Sequence, residues 1–528
     1  MTGASHAVLL ALGLGSLVMA VTALARRLPI PTPILQVAAG LLVGLVQGAA
    51  VPELDPDLVF FVFLPPVLWS AAYYTSFREF RSNLRPIGLL AIGLVIATTG
   101  AVALATHALL PGLPWAVAVA IGAIVSPPDA VAAEAIIKRL PVPRKIVVIL
   151  EGESLVNDAS ALVLYRTAVL AAVTGHFSLG ESIVRFFIDA AIGILIGLAV
   201  AWLIVALARR TTDTIALALL TLLAPYSAWI AAELLHVSAV LACVAGGLYL
   251  RQHFSTVVSP LTRVNTGAVW DLLIFLVNGL IFVLLGVQFG DLIETTPTES
   301  LLRTGTVALA VSAIVIVVRL IWVPIGTYLP RWASSQIRAR EPQPNPRSVG
   351  LIAWTSMRGI VSLASALAIP VALSDGSRFP YRSEILIIAL GVILVTLVIQ
   401  GLTLAPLIRR LKFAEDSTPI FERQHARHEA LRNGLERLED LSDEAWVSAD
   451  DVERLREEYR RRFERERGGT ASESQSNQSR RLRADLLRAE RRAMVRLRDE
   501  GAIGDEVLLE LERELDSEAI RLGAGEEL

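Results

Sequence analysis

The sequence predicts an all-α membrane protein of about thirteen transmembrane helices, built as two inverted six-helix repeats with crossed broken helices and followed by a soluble helical tail. Three observations predict it. Of 528 residues, 54% are hydrophobic and only 19% charged, with a mean hydropathy of +0.58, too apolar for a soluble chain of this length. Apolar and charged residues are segregated: up to Leu411 the chain is apolar with charged punctuation, and beyond it the chain is polar. Lysine and arginine, finally, concentrate in alternate connections. The formal net charge of -2 averages over that segregation and says little by itself.

A bilayer core takes about 20 apolar residues per helix. Divided at its charged and Pro/Gly-rich interruptions, the chain gives predicted spans at His6–Ala25, Pro29–Gln47, Leu58–Thr75, Pro86–Leu110, Pro114–Ile137, Ile146–Val173, Ile183–Ala208, Thr214–Leu234, Ser238–Leu250, Gly267–Phe289, Thr304–Tyr328, Val349–Leu373 and Ser383–Ile408. The first has no basic segment before it and no small-residue cleavage pattern, so it is expected to be a retained span and not a signal peptide. The single cysteine, Cys243, lies in an apolar run, which excludes an internal disulfide and a cysteine-based metal site.

Orientation follows from the connections. One alternate set carries Arg26/Arg27, Arg78/Arg81/Arg85, Lys138/Arg139/Arg144/Lys145, Arg209/Arg210, Arg251/Arg263, Arg331/Arg338/Arg340/Arg347 and Arg409/Arg410/Lys412, whereas the other carries only Arg185, Arg303, Arg378 and Arg382. A bias of about five to one places the first set and the tail in the cytoplasm and the N-terminus outside, and it supports an odd span count. Two six-span halves joined by the seventh span satisfy that count. The division expected is a transmembrane domain over 1–411 and a cytoplasmic helical tail over 412–528. In the tail, Glu and Arg alternate with apolar residues at helical spacing, as at Leu508, Leu511 and Leu515, and Ser/Gly/Gln-rich Gly468–Ser479 divides it into two helical pieces with a flexible link. Both a regulatory or dimer-supporting role and a solvated appendage are compatible with that pattern; its partner is not written in the sequence.

The fifth and twelfth spans hold corresponding places in the two halves, and both are interrupted. Ser126-Pro127-Pro128-Asp129 removes backbone donors in the fifth, and Thr355-Ser356-Met357-Arg358-Gly359 interrupts the twelfth. Matched interruptions of this kind point to a transport site. The sixth span reads Glu151-Gly152-Glu153-Ser154-Leu155-Val156-Asn157-Asp158. Buried acids are expensive, so each needs an account. Glu151 is near the cytoplasmic end, where water reaches it. Asp158 lies about a dozen residues into the span, near the midplane at ~1.5 Å per residue. Ser154 and Asp158, four apart, share a face, and Glu153 and Asn157 form a neighbouring pair. Hydroxyl and carboxylate oxygens, with carbonyls freed by the break at Pro127 and Pro128, suit a hard cation such as Na+. A low-dielectric setting disfavours the charged carboxylate, so H+ and Na+ compete for one group near neutral pH. If the chain switches sides only when Asp158 is neutralised, exchange is compulsory, and one carboxylate implies one charge in for one out. Arg319 and Arg358 also lie in apolar runs and require partners. Glu153 is the candidate for Arg319; Arg358 is expected to face the carbonyl ends of half-helices.

These residues resemble the Na+/H+ antiporters of the NhaP/NHE type. The resemblance is carried by Phe63-Leu-Pro-Pro-Val-Leu-Trp, Ser126-Pro-Pro-Asp-Ala-Val, Gly152-Glu-Ser-Leu-Val-Asn-Asp, Met357-Arg-Gly and Ile399-Gln-Gly-Leu-Thr, in family order over roughly Pro29 to Arg410. It implies a thirteen-span fold with a dimerisation region, a mobile core in which the fifth and twelfth spans cross at unwound centres, and a homodimer. It also implies electroneutral, elevator-like exchange, since Asn157 precedes Asp158 where electrogenic relatives have paired aspartates. Carried over by motif position, Asp158 is the ion and proton carrier, Asn157 and Ser154 help build the site, Asp129 is an orienting acid, and Glu153 with Arg319 is the buried structural pair. Gly359 belongs to the broken-helix crossing with Pro127, Pro128 and Arg358. Two positions depart from the family: Pro128 stands where many relatives have Thr, and Ser70 replaces an acid found in animal exchangers.

The expected activity is therefore exchange of Na+, or of Li+ or K+, for H+ in a bacterial cell membrane, without a cofactor, an enzymatic step or a nucleic-acid partner. A K+/H+ antiporter is the nearest alternative. A passive cation channel lacks a repeated filter motif. A membrane-embedded hydrolase lacks a histidine at the depth of Ser154 and a facing aspartate pair. Histidines such as His107, His176, His236 and His253 fall near span ends or in connections.

Overall fold

The computed structural model describes residues 3–46, 59–138, 140–175, 179–340, 343–370, 377–413, 418–444 and 446–467, with single positions at 490, 496 and 500. The chain divides into two units, residues 1–415 and 416–528.

The first unit is helical. Its elements are α1 (Gly3–Ala25), α2 (Thr32–Gly44), α3 (Leu64–Tyr74, entered through a π-turn at Val59–Phe63), α4 (Phe77–Ser82), α5 (Leu84–Gly88), α6 (Val95–Leu109, joined to α5 by a π segment at Leu89–Leu94), α7 (Trp115–Val125), α8 (Ala130–Ile137), α9 (Arg144–Thr174), α10 (Leu179–Ala208), α11 (Thr214–Leu234), α12 (Ala239–Val257), α13 (Pro260–Thr295), α14 (Thr298–Ala333), α15 (Ser335–Arg340), α16 (Pro346–Trp354), α17 (Ile360–Leu367) and α18 (Arg382–Leu411). Caps mark several starts: Asp213 accepts from the Ile215 amide, Ser238 from that of Leu241, Ser259 from that of Thr262 and Asn345 from that of Arg347.

Among the described residues, seven helices are long and apolar enough to cross a membrane: Leu84–Leu109, Trp115–Ile137, Val184–Ala208, Thr214–Leu234, Leu261–Thr295, Thr298–Ala333 and Arg382–Leu411. Three shorter apolar stretches, Leu12–Ala25, Thr32–Gly44 and Phe60–Tyr74, match the first three predicted spans. The sixth predicted span is a continuous helix, α9, but its acids and Arg166 lower its apolarity. Arg251, Gln252 and His253 do the same in α12, which extends past the predicted Leu250 to Val257. The tenth and eleventh spans are longer than their apolar cores suggested. At 36 residues each, α13 and α14 run about 54 Å, well beyond a ~30 Å hydrocarbon layer.

Close packing is built on small residues where helices meet. On α2, Gly40 and Gly44 face Gly286 and Gly290 of α13, and a Cβ at any of the four would strike the partner's backbone. This spacing lets two backbones approach where lipid gives no hydrophobic drive for association. Cys243 is buried on α12, with its thiol toward the Pro225 carbonyl, as a small packing residue.

In the second unit, α19 (Thr418–Leu441) and α20 (Ala449–Arg467) pack on one another, with Gly434 against the ring of Tyr459. Exposed i,i+3 and i,i+4 pairs such as Arg461 with Glu457 line their outer faces. The first predicted helical piece of the tail is thus a helix pair; the link Gly468–Ser479 and the leucines 508, 511 and 515 lie outside the described residues.

Candidate functional site

The two interrupted spans are broken where the sequence placed the breaks, and they meet there. Between α7 and α8 the chain leaves the helix at Ser126-Pro127-Pro128-Asp129; between α16 and α17 it does so over Thr355–Gly359. The Asp129 amide donates to the Met357 carbonyl at 2.7 Å, tying one break to the other.

One acid and one base serve both breaks. Asp129 is the N-cap of α8, its Oδ1 accepting from the Val131 amide at 2.8 Å, and its Oδ2 accepts from the Ile360 amide of α17 at 3.3 Å. A single carboxylate therefore sits at two half-helix N-termini, where the helix dipoles favour negative charge. Gly359, the N-cap of α17, has no side chain of its own to offer, and any Cβ there would collide with the Asp129 carboxylate. The opposite ends belong to Arg358. Its Nε donates to the Val125 carbonyl at 2.9 Å and Nη2 to that of Ser126 at 3.3 Å, while Nη1 donates to Ser356. The guanidinium thus stands at the carbonyl ends of α7 and α16, as its burial in an apolar run required.

Helix α9 runs past this crossing. Glu153 and Arg319 of α14, each only 1% exposed, form a two-pronged ion pair, with Nη1 on Oε1 and Nη2 on Oε2 at 2.7 Å. Arg319 Nε donates further to the Ile352 carbonyl at 3.1 Å. Asn157 lies off the cavity wall, and its amide donates to the Pro128 carbonyl at 2.9 Å, holding the break in place.

Asp158, Ser154, Asp129, Pro127, Pro128 and Gly359 all line one open cavity of about 490 Å3. Asp158 is 6% exposed, and no hydrogen bond or ion pair joins it to the described residues. Ser154 Oγ is 3.4 Å from the Ala130 amide, which donates to it. Toward its mouth the cavity passes Glu151, Glu134, Lys138 and Asp271. Burial pulls the Lys138 ammonium down, but its hydrogen bond and ion pair with Glu134 outweigh that and leave it raised.

Two oxygens that sequence reasoning did not single out also belong to this wall. Ser362 Oγ, in the first turn of α17, and Asn278 Oδ1, on α13, are buried atoms without a partner among the described residues. Ser362 follows Gly359 by three residues, so the break that flagged Gly359 also faces this hydroxyl toward the crossing. Asn278 gave a weaker signal, as a lone amide in an apolar span. With Asp158, Asp129 and Ser154 they supply hydroxyl, amide and carboxylate oxygens, the donor set of a hard monovalent cation. Among the described residues, no three of His, Cys, Asp and Glu gather in the way a resident metal needs.

The chain is similar to known proteins in sequence and in fold. The family model for the transmembrane sodium/hydrogen exchanger matches residues 14–410. An uncharacterized Na(+)/H(+) exchanger of Mycobacterium tuberculosis is 35% identical over 511 residues, covering 95% of this chain and 93% of the relative. A sodium, potassium, lithium and rubidium/H(+) antiporter of Bacillus subtilis is 32% identical over 489 residues, covering 90% and 72%. In fold, the chain is similar to the sodium proton antiporter MjNhaP1 of Methanocaldococcus jannaschii, with a TM-score of 0.58 at 18% identity, over 76% of this chain and 99% of that one. The match to the family model, spanning nearly all the apolar part and both broken helices, makes the chain a member of the sodium/hydrogen exchanger family, an integral membrane cation:proton antiporter and not an enzyme.

Proposed function

We propose that the chain exchanges Na+ for H+, one charge for one, by alternating access around Asp158. The observation that carries this is a carboxylate near the middle of α9 that opens onto a cavity of about 490 Å3 and has no cation of its own among the described residues. Such a group cannot cross an apolar interior charged, so it moves only when Na+ or H+ neutralises it. Ser154, Ser362 and the carbonyls freed at the breaks replace the water that the cation sheds, and Asn157 and Arg358 keep those breaks open. Li+ and K+ are further substrates; the Bacillus subtilis relative, named for sodium, potassium, lithium and rubidium, supports a broad range, as does the proline at 128.

The rest of the assignment follows the family. Thirteen spans in two inverted repeats form residues 1–411 and move as an elevator within a homodimer. The N-terminus lies outside a bacterial cell membrane, and residues 412–528 form a cytoplasmic tail. No cofactor takes part beyond the transported ions and the surrounding lipid.

The test is proton flux in proteoliposomes driven by Na+, Li+ or K+ over a pH series. Competition for one carboxylate requires the apparent KM for Na+ to rise as pH falls, by up to about tenfold per unit where H+ dominates. An unchanged KM across pH, or large conductance without proton countermovement, overturns the proposal; the second result would identify a channel.

A further inference from the structure

Beside the ion cavity lies a second pocket, of about 210 Å3, that the exchange chemistry does not use. It opens at the end of the bundle where α3 and α12 finish and α11 and α13 begin, beside Arg251 in the last turns of α12 and Arg263 in the first turn of α13. Both arginines line it from exposed positions. Arg251 is held over the ring of Tyr73, 5.6 Å from its centroid, and Arg263 Nη1 donates to the Val258 carbonyl at 2.8 Å, so both guanidinium groups are positioned.

Deeper in, Trp69 and Thr266 are more than nine-tenths buried, yet the indole N–H and the hydroxyl have no hydrogen-bond partner among the described residues. The neighbouring Trp270 does have one, donating to Thr221 Oγ1 at 3.1 Å. Buried donors left unpaired are costly, and a bound acceptor offsets that cost. None of the residues lining the pocket is acidic. Two cations outside and two donors inside therefore fit an anion, and guanidinium favours the geometry of phosphate. Leu261 and Val264, on either side of Arg263 in the chain, carry exposed apolar side chains that suit acyl chains better than water.

We propose that this pocket binds the phosphate headgroup of an anionic phospholipid from the leaflet facing the Lys/Arg-rich connections. Basic pockets between helices on that side of a membrane recognise such headgroups. Ser70 and Tyr74 of α3 line both this pocket and the ion cavity, so the lipid and the transported ion share one helix as a common wall.

The full-length protein in a neutral detergent tests this by thermal unfolding with dioleoyl phosphatidylglycerol, dioleoyl phosphatidylcholine or inorganic phosphate. The expected result is a saturable rise in Tm with phosphatidylglycerol and none with phosphatidylcholine. Arg251→Gln with Arg263→Gln should shift the half-saturating lipid concentration about 30-fold upward. Gly267 also lines the pocket, and a Cβ there meets nothing within 4 Å, so Gly267→Leu should fill the space and abolish the response in a protein that still folds. An undiminished response in the double variant or in Gly267→Leu, a phosphatidylcholine effect as large as that of phosphatidylglycerol, or stabilisation by inorganic phosphate alone would overturn the proposal. Because binding is read without transport, its outcome is independent of the exchange assay.

Discussion

Two buried acids on one helix, Glu153 and Asp158, are five residues apart and have opposite surroundings. Both oxygens of Glu153 are held by Arg319, and water does not reach it; Asp158 faces a cavity and has no cationic partner among the described residues. The cost of burying a carboxylate is met at Glu153 by a fixed guanidinium, which makes it part of the frame. At Asp158 it is left to be met by whatever ion arrives. The comparison teaches that burial alone does not single out the proposed carrier; what separates Asp158 from Glu153 is that no fixed cationic side chain meets it among the described residues.

The sharpest way to break this contrast is Asp158→Asn. Exchange should fall to the level of protein-free liposomes, while Tm stays unchanged or rises, because a buried amide costs less than an unpaired carboxylate. Retained Na+-driven proton flux, or a large loss of Tm, would put Asp158 in the same class as Glu153. The mirror experiment is Glu153→Ala, which strands Arg319 and should cost about 3–5 kcal/mol, read as a lowered Tm in detergent. Glu153→Leu combined with Arg319→Met should recover most of it, since a buried pair is often replaceable by apolar residues of similar volume. A wild-type Tm for Glu153→Ala would show that the pair does not hold the frame.

Asp129 stands between these extremes, exposed to the cavity yet bonded through both oxygens to half-helix N-termini. Asp129→Asn keeps one acceptor and loses the other along with the charge, so about 1–2 kcal/mol of stability should go, with exchange slowed but measurable. Complete loss of exchange at unchanged Tm would instead make Asp129 a second carrier.

How much of this was legible follows from what the sequence encodes locally. The Glu153–Arg319 pair could be read because a lone buried charge is untenable, and the burial of Asp158 because it lies near the middle of an apolar helical run. Pro127 and Pro128 announced the first break. The sharing of Asp129 by two half-helices was not legible, because it depends on Gly359 coming close enough to exclude a Cβ, a contact between residues 230 apart in sequence. Ser362 was missed for a related reason: serine in an apolar helix ordinarily bonds its own backbone, and only the crossing shows that its hydroxyl does not. Helix lengths were understated because hydropathy reports where lipid ends and says nothing of how far a helix continues beyond it, as in α13 and α14.

The smallest expected effect tests how finely the cation and the proton are told apart. Ser154 lies one turn before Asp158 on the same wall, and its hydroxyl takes only a long hydrogen bond from the Ala130 amide. A proton needs the carboxylate alone, whereas a cation stripped of water needs every oxygen around it. Ser154→Ala should therefore raise the apparent KM for Na+ about fivefold, the equivalent of one ordinary hydrogen bond at ~1 kcal/mol, and leave the maximal rate nearly unchanged. Ser154→Thr, which restores the hydroxyl, should return the KM toward that of the original chain. If Ser154→Ala lowers Tm and leaves KM alone, the hydroxyl belongs with Glu153 to the frame, and the cation is held by the carboxylate and the carbonyls of the breaks.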